Sequence, residues 1–177
     1  MLRNLFIVLI ITIIAAGCLK NDSDPSCPYT PLSSVVPANE LADLETFLDT
    51  NGIVSTKHPA GFYYYVSNAG TGTDTMGLCS TVDINYDVRL VTDSVVESQL
   101  GTPRKFFLGG LIEGFQKGIP LVKKGGQIKL YLPPKLGYGS TVIKKPSPVV
   151  GGDSIVVIPA NSILIYNVKL VDYTQGY

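Results

Sequence analysis

The sequence lacks the side chains on which most hydrolases, metalloenzymes and redox enzymes depend. His58 is the only histidine among 177 residues, and no CxxC pair occurs. A zinc site therefore has no ligand set, and a serine triad has no convincing base. The GxSxG, Walker and dinucleotide glycine patterns are also missing. These absences leave hydrolysis, phosphoryl transfer and redox chemistry poorly supported, and we predict that the protein uses no metal and no other cofactor.

The sequence also lacks an excess of charge of either sign. It has 14 Lys and Arg residues against 14 Asp and Glu residues. Nucleic acids and other polyanions bind through clustered cations, and balanced charge gives no electrostatic case for such a partner. We therefore predict no nucleic acid partner, and we expect the protein to be a monomer.

Long hydrophobic runs are absent except near the N-terminus. Residues 5–14 are apolar apart from Thr12, Arg3 precedes them, and the small residues Ala-Ala-Gly follow. A run this short with a basic start is typical of a signal peptide and not of a membrane-spanning helix. The pattern predicts that residues 1–17 are cleaved from a protein that is exported from the cytoplasm.

Cys18, directly after Ala-Ala-Gly, resembles the lipobox cysteine of bacterial lipoproteins. The resemblance implies a lipid anchor on Cys18 and an extracytoplasmic location on a bacterial membrane, expected to be the outer membrane, either periplasmic or surface-exposed. Acyl chains contribute about 0.8 kcal/mol for each buried CH₂ group, so several of them hold a protein firmly. Ordinary secretion with an unmodified Cys18 is the alternative.

Residues 18–37 are rich in Asn, Asp, Ser and Pro and have no apolar period. Such a segment is expected to be a flexible tether between the membrane and a folded domain. Its acidic start, with Asp22 and Asp24, resembles the surface-export signals of Bacteroidetes lipoproteins, although solvation is the simpler role. Cys27 in this segment and Cys79 further along the chain either form a disulfide outside the cytoplasm or stay unpaired thiols.

Residues 38–60 are predicted to form an N-terminal amphipathic helix and a linker. Asn39 is predicted to be the N-cap, Leu44 and Leu48 lie on one apolar face, and Asn51-Gly52 ends the helix. We expect this face to dock on the following domain. A helix that binds a partner protein is the alternative.

The sequence over residues 61–173 predicts an α+β domain. Apolar and polar residues alternate there with the period of two expected for half-buried strands, and one helical pattern lies among them. The predicted strands are 62–67, 81–91, 105–108, 127–132 and 162–172, the predicted helix is 111–119, and 140–160 is predicted to be a long loop. Together they indicate a curved antiparallel sheet of five to six strands wrapped around one short helix.

The stretch 106–139 combines a glycine-bounded helix, a strand and a tyrosine-bearing loop, and it indicates an apolar pocket. Rotation about an X–Pro amide is a reaction that needs no more than this, because it makes and breaks no bond. Its barrier of about 18–20 kcal/mol reflects the resonance of the planar amide. An apolar slot for the proline ring and donors aimed at the carbonyl are sufficient to favour the twisted state.

Four segments of the domain resemble FKBP-type peptidyl-prolyl cis-trans isomerases. They are VDINYDVRL around Tyr86, FFLGGLIEGFQKGI, GGQIKLYLPPKLGYG and VIPANSILIYNVKLVDY. The preceding helix and aromatic strand look like those of lipoprotein members of the family. The resemblance implies an FKBP-like fold and isomerisation of X–Pro bonds in proline-containing segments, which assists the folding of extracytoplasmic proteins. A non-catalytic module of the same fold, which binds proline-containing segments or a fixed envelope partner, is the alternative.

The resemblance also implies site residues, position by position. The implied catalytic residues are Tyr86, Glu97, Ile112 and Tyr138. In the family, the backbone N–H matching Ile112 and the hydroxyl matching Tyr138 donate hydrogen bonds to substrate carbonyls. Phe115 stands at the position of an aromatic pocket floor that is commonly Trp. The implied substrate-binding residues are Phe106, Leu111, Phe115, Val157, Ile158 and Tyr166.

The sequence departs from the family on the opposite wall of the pocket. Val96 stands where the family has an aromatic residue, Glu97 replaces an aspartate, and Arg104 replaces a second aromatic residue. The loop after Tyr138 is longer than in minimal members. These changes predict a wall that shields the amide from water less well.

Overall fold

The computed structural model describes residues 27–73, 75–148 and 152–176. The predicted signal peptide, residues 1–17, and the predicted lipidation site Cys18 lie outside the described residues. Within those ranges, none of the helices combines the length and the apolar character that crossing a membrane requires.

Eight strands and two α-helices make up the regular structure of the described ranges. The strands are β1 (Thr56–Lys57), β2 (Tyr63–Asn68), β3 (Thr81–Leu90), β4 (Val95–Phe107), β5 (Gln127–Leu132), β6 (Ile143–Lys145), β7 (Ile155–Ile158) and β8 (Leu164–Thr174). The helices are α1 (Ala38–Thr50) and α2 (Glu113–Gly118), and short 3₁₀ helices cover Leu108–Gly110, Ile119–Leu121 and Pro134–Leu136. Six strands form one sheet in the order β1-β2-β5-β8-β3-β4, and every neighbouring pair is antiparallel. The predicted α+β class and strand number are confirmed.

The core lies between α2 and the inner face of the sheet. Alternation along β3 and β8 sends every second side chain inward, as the sequence pattern predicts. Gly114 and Gly118 on α2 allow the helix to approach β5 closely, because a Cβ atom at either position would overlap the buried side chains of Leu132 and Leu130. Close packing of this kind tolerates no added methyl group without a shift. The short helix therefore rests directly on the centre of the sheet.

The outer face of the sheet is partly covered by α1. Leu44 and Leu48 of this helix pack with Tyr131 of β5 and Ile165 of β8 in a second buried cluster. The predicted docking of the apolar face is therefore seen, but the predicted N-cap at Asn39 is wrong. The helix begins at Ala38 after Pro37, and no side chain caps its first turn. A proline fits this position because its fixed φ suits the start of a helix.

The structure differs from the sequence prediction in the bounds or type of three elements. The strand predicted from residue 105 extends back to Val95, since the segment 95–104 pairs with β3 around a bulge. The predicted loop 140–160 contains the hairpin β6–β7, whose strands pair from Ile143 to Ile158. The helix predicted from Leu111 starts only at Glu113, because Leu111 and Ile112 have extended backbones.

The described part of the predicted tether, residues 27–37, contacts the domain although it contains no helix or strand. A disulfide joins Cys27 to Cys79, which decides between the two alternatives left open by the sequence. Tyr29 packs on Gly109, and the backbone N–H of Ser34 donates to Glu113 Oε1 over 2.9 Å. The expectation of flexibility is therefore wrong for this part, because composition does not reveal a crosslink or contacts made with distant residues.

Candidate active site

The ten site residues implied by the sequence line one cavity of about 260 Å³. The cavity opens at one end of the inner sheet face, between β3, β4, α2, the loop after β5 and the β6–β7 hairpin. Five further residues line it that the sequence did not single out as binding residues, namely Val88, Val96, Gly110, Ile143 and Lys145. Val88 continues the inward alternation that carries Tyr86, so its position followed from a recognised pattern. Ile143 and Lys145 had no comparable signal.

Three aromatic rings form the floor of the cavity. Phe115 on α2 is 4% exposed, and its ring meets the ring of Tyr166 edge-on with 4.5 Å between centroids. Tyr86 completes a triangle of rings: its centroid lies 6.4 Å from Phe115, also edge-on, and 6.5 Å from Tyr166. Edge-to-face contacts are favourable for aromatic rings and hold their orientation. The floor is therefore an aromatic surface whose rings orient one another.

One wall begins at the backbone before α2. Gln116, which is buried, donates through Nε2 to the carbonyl oxygens of Gly109 at 3.0 Å and Leu111 at 2.9 Å. These bonds hold the segment that leads into Ile112, whose extended backbone lies directly before the helix. Among the hydrogen bonds of the described residues, the Ile112 N–H has no acceptor within the protein. A backbone donor is thus available at the cavity.

Tyr138 stands on the loop between the Pro134–Leu136 turn and β6. The loop is closed by the Gly139 N–H, which donates to the Pro134 carbonyl over 2.8 Å, and Gly139 has the left-handed φ of 55° that favours glycine. Burial raises the pKa of Tyr166 far above its usual range, and a hydrogen bond between the Tyr138 and Tyr166 hydroxyls raises it further. The Tyr166 hydroxyl therefore keeps its proton at physiological pH.

A polar group forms the wall contributed by β3 and β4. The Tyr86 hydroxyl donates to Glu97 Oε1 over 3.1 Å, and Arg104 Nη1 donates to the same oxygen over 3.1 Å. Burial raises the pKa of Tyr86, so this hydroxyl keeps its proton and acts as a donor. Two of the three departures from the family, Glu97 and Arg104, thus bind each other. A sequence read residue by residue has no means of showing that pairing.

The third departure, the small Val96, is adjoined by the β6–β7 hairpin. Ile143 and Lys145 of β6 line the cavity together with Val96. Lys145 Nζ donates to the Val96 carbonyl over 2.9 Å, which ties the hairpin to β4. The expectation of a poorly shielded wall is therefore wrong in part, because the longer loop supplies side chains on the side where an aromatic ring is missing.

A curved antiparallel sheet that holds a short helix beneath an aromatic cavity defines the class of FKBP-like α+β domains. Residues 73–171 match the family model described as FKBP-type peptidyl-prolyl cis-trans isomerase. This match covers more than half of the sequence. The chain belongs to that family, as the sequence motifs predict.

Relatives of known sequence and structure agree with this assignment. The chain is 32% identical over 131 residues to an FKBP-type peptidyl-prolyl cis-trans isomerase FkpA of Buchnera aphidicola, which covers 73% of this chain and 46% of the relative. It is 36% identical over 115 residues to a probable FKBP-type isomerase of Haemophilus influenzae, covering 64% and 43%. The crystal structure of FkpA from Escherichia coli superposes with a TM-score of 0.62 at 30% identity, covering 78% and 61%. The chain therefore spans about half the length of the curated relatives it matches.

Proposed function

We propose that this protein is a peptidyl-prolyl cis-trans isomerase that acts on proline-containing segments of extracytoplasmic polypeptides. The observation that carries the proposal is the cavity itself, in which an aromatic floor, Ile112 and the tyrosine side chain of Tyr138 line one largely apolar space. Among the residues that line the cavity there is no cysteine, serine or histidine to act as a nucleophile or general base. Amide rotation needs none, because no covalent bond is made or broken.

The proposed mechanism follows from these groups. The proline ring sits on Phe115, with Phe106 and Ile158 at its sides, and the amide leaves water. In the twisted state the nitrogen lone pair no longer conjugates with the carbonyl, so the resonance stabilisation of the planar amide is lost. A cavity that binds the twisted form better than the planar form lowers the barrier, and each 1.36 kcal/mol of that difference is worth a factor of about ten in rate.

Two donors hold the peptide on either side of the rotating bond. The Ile112 N–H and the Tyr138 hydroxyl donate hydrogen bonds to substrate carbonyls. These bonds keep the flanking chain in place while the X–Pro amide rotates. Leu111, Val157 and Tyr166 complete the apolar enclosure. The Tyr86–Glu97 group closes the side wall with its polar atoms paired to each other, so it does not compete for the peptide.

We further propose that the protein works outside the cytoplasm, held to a membrane by a lipid on Cys18, as a monomer without a nucleic acid partner. The Cys27–Cys79 disulfide supports an oxidising compartment, since disulfides persist there and are rare in the cytosol. The short apolar run followed by Cys18 supports export and lipidation. Metabolic labelling with a fatty acid tests this: label on the wild type and none on Cys18→Ser is expected, and an unlabelled wild type would remove the anchor.

A protease-coupled assay on short Leu–Pro peptides tests the activity. We expect the purified protein to accelerate the slow cis-to-trans phase in proportion to its concentration. Tyr138→Phe is expected to lower kcat/KM about tenfold, the value of one hydrogen bond of ~1.4 kcal/mol. No acceleration at micromolar protein, with peptide binding still visible by NMR, would replace the enzyme with a binding module of the same fold.

A further inference from the structure

The cavity carries an uncompensated positive charge on its rim. Glu97 and Lys145 are the two charged side chains among the described residues that line it. Glu97 accepts hydrogen bonds from Tyr86 and from Arg104, each at 3.1 Å, so its negative charge is neutralised by the guanidinium. Lys145, which contacts the backbone of the adjacent Val96, forms no ion pair with a carboxylate among the described residues.

Lys145 reaches the rim from β6 and is half-buried there. Its ammonium group donates one hydrogen bond, to the Val96 carbonyl at 2.9 Å. Among the ion pairs of the described residues, none includes Lys145. Because an ammonium group has three donors, two of them stay available to a ligand. The position of Lys145 is held by the carbonyl contact, so binding a ligand costs less loss of side-chain freedom than it would for a mobile surface lysine.

The surroundings of Lys145 favour a peptide side chain as that ligand. The hairpin that carries it exposes the apolar residues Val142, Ile155 and Val156. Lys145 lines the same cavity as the aromatic floor, so a polypeptide whose proline occupied that floor would bring the residues beside the proline to the rim that carries Lys145. A carboxylate at that place would form a charge-assisted hydrogen bond, which is shorter and stronger than a neutral one.

We propose that the site prefers proline segments in which Asp or Glu directly precedes the proline, with Lys145 as the residue that determines this preference. The inference rests on the proposed isomerase function. Arg104 does not share this role, because it is not among the residues that line the cavity and its charge is paired with that of Glu97.

The test compares kcat/KM for two peptides that differ only in Glu–Pro against Gln–Pro. Wild-type protein is expected to prefer the Glu peptide about fivefold, the range of a half-exposed charged contact of ~1 kcal/mol. Lys145→Met is expected to bring the ratio close to one, Lys145→Arg to retain most of it, and Lys145→Glu to reverse it. Added salt is expected to reduce the wild-type ratio, since it screens a contact at a rim.

The matched control is Lys144→Met, which removes the same charge from the neighbouring, exposed position outside the cavity. This variant is expected to keep the wild-type ratio. An unchanged Glu-to-Gln ratio in Lys145→Met, or an equal loss in both methionine variants, would overturn the inference. If no peptide, including the Leu–Pro peptide, is turned over by the wild type, the proposed function itself fails, which is a separate outcome.

Discussion

Arg104 Nη1 lies 3.1 Å from Glu97 Oε1, and the two residues pair across a bulge of β4 at the side of the cavity. Each of them departs from the family pattern, and together they close the wall around the hydroxyl of Tyr86. The wall is thus built from a contact between two substituted positions.

Removing Arg104 tests that wall. In Arg104→Leu the carboxylate of Glu97 loses its cation and keeps only the hydrogen bond from Tyr86, which weakens the wall. Since both side chains are partly exposed, we expect a loss of about 1 kcal/mol, or about fivefold in kcat/KM for Leu–Pro peptides. Lys105→Leu is the control, because Lys105 follows on the same strand and points to Asp83 at 3.9 Å. Equal losses in the two variants would show that the effect is one of overall charge.

Adding a methyl group to α2 tests the close approach of this helix to the sheet. Gly114→Ala places a Cβ against the side chain of Leu132, which is fully buried and has no space to yield. We expect a fall of about 1–3 kcal/mol in the free energy of unfolding, measured with urea. Gly101→Ala, on β4 with nothing within 4 Å of the added atom, is the matched control and is expected to change little. Similar stability of the two variants would contradict the packing described for α2.

Reducing the disulfide tests the attachment of residues 27–37. The bond joins positions separated by 52 residues, and a crosslink of that span stabilises by about 2–4 kcal/mol, mainly by restricting the unfolded chain. A reductant is expected to lower the urea midpoint of the wild type and to leave Cys27→Ser unaffected. Free thiols in the unreduced protein, counted by mass spectrometry after alkylation, would exclude the bond.

The single histidine predicts a pH dependence of stability. Burial lowers the pKa of His58, and the charge of Lys117 lowers it further, while its ring stacks on Phe62 at 4.3 Å. A folded pKa below the unfolded value of about 6.5 means that stability is complete above that pH. It declines as the pH falls from there through the folded pKa, because the unfolded state binds the proton more tightly.

Urea midpoints measured between about pH 7.5 and 5.5 check this, since carboxylates titrate mainly below that window. His58→Gln is expected to flatten the decline. A decline of the same size in this variant would assign the effect to other groups. A rise in stability on acidification of the wild type would reverse the sign derived for His58.

Local pattern was sufficient for most of the sheet, and the family resemblance named ten residues that lie around one cavity. The period of two along β3, β5 and β8 reports which side chains face inward, because the pleat alone sets that alternation. The site residues have another source, since Ile112, Phe115 and Tyr138 were assigned by the resemblance of short motifs to those of the family. The inward faces of the strands and the family motifs both depend on residues that are close together in the sequence.

The start of α2 and the hairpin β6–β7 could not be predicted from local pattern. Leu111 and Ile112 fit a helical stripe, yet their backbones are extended, because Gln116 holds the carbonyls of Gly109 and Leu111 in place. The sequence pattern predicts a loop where the hairpin β6–β7 lies, because its first strand has only three residues and two of them are lysines. The β6 strand forms because it pairs with β7, and not because its residues favour the β conformation.

By itself the sequence determined the fold class and the inward faces of the strands, since both depend on spacing along the chain, and its family motifs named ten of the residues around the cavity. Only the tertiary structure decided how the altered wall is completed. Lys145 meets Val96 across 49 residues and Cys27 meets Cys79 across 52, and Glu97 meets Arg104 across a bulge. The reason is physical. The period of two along a strand shows which face of the sheet a side chain lies on, whereas the residue that it contacts depends on how distant parts of the chain fold together.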